Sequence, residues 1–177
     1  MIRNIGNLKP IVGKGSIISP GAYVAGDVEI GEGVEIFDGA IIRGDSGKVT
    51  IGNSCWIQEG SIIRGFLGNG VSIGQEVNIG HGVVIQCTKV GNNSLLANNC
   101  TIDGNVEIGN FSVIGANAKI KAGMQIPDWV LVFGNPAKIA RNIKNDERWK
   151  NELISGMKLQ DGYENLHEMW KALGMYS

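Results

Sequence analysis

The stretch Ile73–Cys87, IGQEVNIGHGVVIQC, opens a six-residue period three times, at Ile73, Ile79 and Ile85. It also holds His81, one of two histidines in the chain. Outward from it the same period covers most of the sequence. Toward the N-terminus, aliphatics fall at Val12, Ile18, Val24, Ile30, Ile36 and Ile42. They resume after three extra residues at Ile51, Ile57 and Ile63, and after four more at Ile73. Toward the C-terminus one residue is dropped, and then Val90, Leu96, Ile102, Ile108, Ile114, Ile120, Ile126 and Val132 run unbroken. An amphipathic helix has a period of 3.6 and does not fit. A six-residue beat is the mark of a parallel β-helix. One β-branched side chain per hexad points inward and stacks on its equivalent one rung away. Gly, Asn and Asp supply the corners, and rungs lie about 4.8 Å apart. At three hexads per rung, the twenty hexads make nearly seven rungs.

The bulk composition narrows the function. A chain of 177 residues suits one domain. Its formal net charge of −1 gives no basic field for nucleic acid or an anionic membrane. No apolar run approaches the roughly 20 residues of a membrane span, and no charged-then-apolar leader stands at Met1. Cys55, Cys87 and Cys100 are odd in number and lack CxxC spacing, which favours free thiols in a reducing, cytoplasmic setting.

The repeat ends near Ala137, dividing the chain into a β-helix over 1–137 and a helical extension over 138–177. Asn145 reads as an N-cap, with Asp146 and Glu147 as an acidic first turn. Trp149, Leu153 and Met157, then Tyr163, Leu166, Met169, Trp170 and Leu173, keep helical spacing. These apolar stripes are expected to pack on the β-helix or on a neighbouring subunit. His167 falls on the polar face.

Five segments carry a more specific signal: GDVEIG (26–31), AIIRGD (40–45), CWIQEGSIIR (55–64), IGHGVVIQC (79–87) and FGNPAKIAR (133–141). Their order and spacing resemble the gamma-class carbonic anhydrase family of hexapeptide-repeat proteins. The resemblance implies a left-handed β-helix, a homotrimer, and a metal held by three histidines between two subunits. Carried over residue by residue, the first histidine position is Arg64, the second is His81 and the third is Gln86. Arg43, Asp45 and Gln58 match the family, and Glu59 stands where it usually has Asp.

The hexad count gives an independent geometric expectation. With the offsets taken as loops, Arg43, Arg64 and Gln86 form one vertical stack, while Glu59 and His81 form another on a different face. The two stacks can then meet only across a subunit boundary.

A catalytic zinc needs about three protein ligands and an open position for water, whose pKa it lowers to roughly 7. Gln86 offers a neutral amide, a poor ligand beside imidazole, and Arg64 is permanently cationic. Two like charges 4 Å apart repel by about 4 kcal/mol at an effective dielectric of 20, and a dication doubles that. No metal cofactor is therefore expected; if zinc or another divalent metal binds at all, His81 is the ligand, with Glu59 or Cys87 recruited.

The leading expectation is a degenerate, non-hydratase member that binds a small anion at the subunit interface through Arg43, Asp45, Arg64 and Gln86. One alternative is an acyl-CoA-dependent acyltransferase with His81 as base and Gln58 and Glu59 as further catalytic candidates. The other is a weak metal-dependent carbonic anhydrase with substitute ligands. His81 otherwise serves as a structural histidine that bridges subunits, with a partner such as Glu59. Arg43 and Arg64 pair by default with Asp45 and Glu59, or receive a carboxylate, bicarbonate or phosphate. Phe37, Trp56 and Phe66 fall off the inward positions and are candidates for subunit contacts.

Overall fold

A computed structural model describes residues 1–86 and 88–154, with side chains to Lys150. The chain coils as a left-handed parallel β-helix of about seven turns, followed by one short helix, Glu147–Ile154. Three columns of inward side chains build the core. One runs through Ile30, Ile51, Ile73, Val90, Ile108 and Ile126. A second runs from Ile18 through Ile36, Ile57, Ile79, Leu96 and Ile114 to Val132. The third joins Val24, Ile42, Ile63, Ile85, Ile102 and Ile120.

The six-residue period assigns these positions correctly, with two departures. Val12 is exposed and Ile18 half-buried, because the first turn has no predecessor above them. Val24, by contrast, is fully buried, since the strand Ile2–Arg3 pairs above it with Ile2 in register.

All three breaks in the period fall at one corner, between the third column and the first. At the first break the strand Ile41–Ile51 crosses the corner without interruption. At the second, residues 65–70 project as a tight loop in which Phe66 and Asn69 exchange backbone hydrogen bonds of 2.9 and 3.0 Å. Successive turns approach so closely here that several residues, Gly44 and Gly65 among them, leave no room for a Cβ. A Cβ on Gly44 would lie 1.9 Å from the Asp27 carbonyl oxygen, and one on Gly65 2.2 Å from that of Gly47.

Small residues fill the interior corners. Ser61, fully buried, donates to the Gly80 carbonyl at 2.7 Å and accepts from the Val83 N–H at 3.1 Å, tying two turns together. Cys55 and Cys100 are free and buried. Burial pushes both thiols up to about 12, so they stay protonated and unreactive at neutral pH.

The C-terminal end is closed by an antiparallel hairpin, Val130–Gly134 with Ala137–Asn142. Leu95, Val113 and Leu131 make the lower outer surface of the second face apolar. Ile143, the stacked rings of Phe111 and Trp129 (centroids 4.3 Å apart) and Trp149 cover it. Trp149 thus packs on the β-helix. The helix cap differs from the sequence reading: Asp146, not Asn145, immediately precedes the helix. A hydrogen bond from Arg141 at 2.7 Å, aided by the backbone at Trp149 and Arg148, holds its carboxyl below the ordinary value against the opposing effect of burial. The Leu153 side chain, Met157, the run from Tyr163 to Leu173 and His167 lie outside the described residues. Among the described residues no helix is long and apolar enough to cross a membrane.

Ile63 sits between Ile42 and Ile85 with no exposed surface. Ile63→Ala should cost about 2–5 kcal/mol of stability by denaturant titration. Ile11→Ala, at an exposed site in the first turn, should stay within about 0.5 kcal/mol.

Candidate functional site

The third face ends, turn after turn, in the side chains that the spacing stacks. Arg43 pairs in register with Arg64, and Arg64 with Gln86. The second face leads into the other stack: Ile57 pairs with Ile79, so the corner residues Glu59 and His81 follow one above the other. Backbone bonds fix that corner. The Gly82 N–H donates to the Glu59 carbonyl at 2.9 Å, and the His81 N–H donates to Asn98 Oδ1 at 3.0 Å.

The side chains then sort themselves by reach. His81 Nδ1 lies 2.7 Å from Glu59 Oε2, a polar contact out of line for a good hydrogen bond, with both groups about half exposed. Arg43 pairs with Asp45. Burial acts to raise the Asp45 pKa, but the Arg43 hydrogen bond, its own backbone and the charges of Arg43 and Arg64 outweigh it, holding the carboxyl below its usual value.

Arg64 differs from the sequence expectation. Glu59 is engaged by His81, one turn away in the same column, and among the described residues no carboxylate forms an ion pair with Arg64. Its Nε is shielded from solvent with no acceptor, and its guanidinium carbon lies 5.3 Å from the centroid of the Phe66 ring.

Gln58 is buried, and its Nε2 donates to Asn78 Oδ1 at 3.3 Å. Asn78 was not singled out from sequence. Its signal is an amide at an outward position where the neighbouring turns carry Trp56 and Leu95. It is 7% exposed, and its Nδ2 lacks an acceptor. A separate groove of about 460 Å³ on the first face, lined by Lys48, Thr50, Ser72, Thr88 and Lys89 among others, contains none of the candidate residues.

Comparison with known proteins places this arrangement. The family model "Bacterial transferase hexapeptide (six repeats)" matches residues 87–122. The carnitine operon protein CaiE of Escherichia coli K12 is 33% identical over 144 residues, 81% of this chain and 74% of CaiE. The chain belongs to the CaiE-like hexapeptide-repeat family. The solved product of the Bacillus cereus BC4754 gene superposes with a TM-score of 0.84 at 26% identity, covering 94% of this chain and 98% of that one. A hexapeptide transferase family protein from Anaplasma phagocytophilum gives 0.82 at 24% identity over 90% and 95% of the two chains, a likeness of fold alone.

Membership of this family accounts for the coil, and the side chains on it decide the chemistry. Among the described residues no three His, Cys, Asp or Glu side chains gather closely enough to hold a metal ion. The stack of Arg64 and Gln86 is also the wrong donor set for zinc: it brings a fixed cation and a weak amide.

Because the Asp45 carboxyl is held below its unfolded value, its contribution is present above about pH 4 and is lost as pH falls through the folded pKa. The stability gap between wild type and Asp45→Asn should therefore be widest at neutral pH and shrink in acid, as read from thermal melts across pH 2–7.

Proposed function

We propose that the protein is a trimeric, gamma carbonic anhydrase-like β-helix that binds a small anion at each subunit interface and is not a zinc-dependent CO2 hydratase. The observation that carries this reading is Arg64, whose guanidinium has no carboxylate partner among the described residues and whose Nε is shielded without an acceptor. It occupies the first of the three positions at which the resembling enzymes place histidines. A cation there repels a metal and attracts an anion, and a guanidinium fork matches a carboxylate or bicarbonate edge.

In the trimer, Arg64 and Gln86 of one subunit face His81 of the next, and Glu59 holds that imidazole. Arg43, already balanced by Asp45, adds field rather than an open site. Light scattering should give three times the 18.9 kDa chain mass. Titration calorimetry should detect acetate, bicarbonate or phosphate, more weakly as salt rises, because partly exposed charges are screened over about 8 Å at physiological ionic strength. Arg64→Ala should abolish the heat. A monomeric mass, or no heat with any of the three anions in wild type, would defeat the proposal.

The contact between His81 and Glu59 favours one second reading. With the Glu59 carboxylate 2.7 Å from Nδ1, Nε2 is the nitrogen left as a candidate base, which suits acyl transfer from an acyl-CoA. Binding of acetyl-CoA that is lost in His81→Ala would shift the assignment to that class.

Arg64→His with Gln86→His replaces the cation and the amide by two imidazoles that join His81 from the neighbour. The variant should bind zinc near stoichiometrically and gain about 2.7 kcal/mol at a hundredfold excess over Kd. No zinc uptake beyond wild type by a correctly folded trimer would show that these positions do not converge.

A further inference from the structure

The loop of residues 65–70 stands immediately beyond Arg64 and carries two apolar side chains that the fold does not bury. Phe66 is 46% exposed, and Leu67 at the tip is 78% exposed, the highest value among the exposed large hydrophobics of the described residues. The loop is held in shape by the paired backbone bonds of Phe66 and Asn69, and its base is fixed by the close approach of Gly65 to Gly47. A guanidinium with no ion-pair partner among the described residues and an apolar surface are therefore held side by side, with the Phe66 ring against the Arg64 head. Inorganic anions use only the first of these features. A ligand with one charged end and one apolar end uses both.

Resting on the anion reading above, we infer that the ligand is an amphiphilic monocarboxylate, its head on Arg64 and its tail against Phe66 and Leu67. The charge count sets the head. Asp45 balances Arg43, and the Glu59 carboxylate lies against His81, so among the described residues Arg64 is the cation of this cluster without an ion-pair partner, and its guanidinium is open to the ligand. A planar carboxylate takes two parallel N–H donors from a guanidinium, whereas a phosphate dianion brings a second charge that finds no partner here. The loop sets the tail. Each methylene removed from water against an apolar surface adds a nearly constant increment of affinity, and the exposed Leu67 side chain with the exposed part of Phe66 supplies that surface.

The test is calorimetry on the intact protein with acetate, butanoate, hexanoate and inorganic phosphate, in wild type, Leu67→Ala, Phe66→Ala and Arg64→Ala. Affinity should rise about three- to fourfold per methylene added to acetate, with phosphate weaker than hexanoate. Leu67→Ala and Phe66→Ala should each lower the ratio of hexanoate to acetate affinity, and Arg64→Ala should remove binding of the whole series. Equal affinities for acetate and hexanoate in wild type would overturn the amphiphilic ligand while leaving the anion site standing. Absence of binding by every anion would instead remove the anion site itself. Light scattering on Leu67→Ala gives a separate check: loss of the trimer would make the loop a subunit contact and would overturn its role at the ligand tail.

Discussion

The parallel backbone ladder between successive turns is the constraint on which everything else depends. Each turn adds about 4.8 Å of height, and the inward side chain of every hexad must land on its counterpart above. A slip of one residue would turn a whole column from the core to the solvent. That intolerance forces each insertion or deletion into a corner, and the chain puts its two insertions and one deletion at the same corner. The ends of that ladder, at Arg43, Arg64 and Gln86, therefore hold their vertical register although the loops after them differ in length.

The fold was legible because the period reports a strict physical requirement. Ile57 over Ile79, or Ile63 over Ile85, follows from counting by sixes once offsets are assigned to corners. The same counting stacked Arg43 on Arg64 and Glu59 near His81. It failed for Val12 and Ile18, since a period marks inward positions but does not say where the stack ends. It also failed on the partner of Arg64. Counting fixes the height of a backbone position and leaves open which of two side chains reaches a given carboxylate. His81 is the next residue up the column from Glu59, whereas Arg64 lies around the corner, and proximity decides. Asn78 escaped notice because outward polar residues are common on such faces; only its burial beside Gln58 sets it apart.

The contrast between the shared coil and the altered side chains separates what the family confers from what this chain does. Relatives such as CaiE share the scaffold over most of its length. On that scaffold Arg64 presents a fixed positive charge with donors only, where an imidazole would present a neutral lone pair. With Glu59 engaged by His81, the charge on Arg64 has no ion-pair partner among the described residues, which leaves it open to a ligand or a neighbouring subunit.

The most direct measurement is a crystal structure of the assembled protein grown with hexanoate. The account predicts a trimer in which each Arg64 guanidinium holds a carboxylate head between its own Gln86 and the neighbour's His81, with the chain lying toward Phe66 and Leu67. An assembly in which a carboxylate of the protein itself satisfies Arg64, with no room for an anion between the subunits, would contradict it.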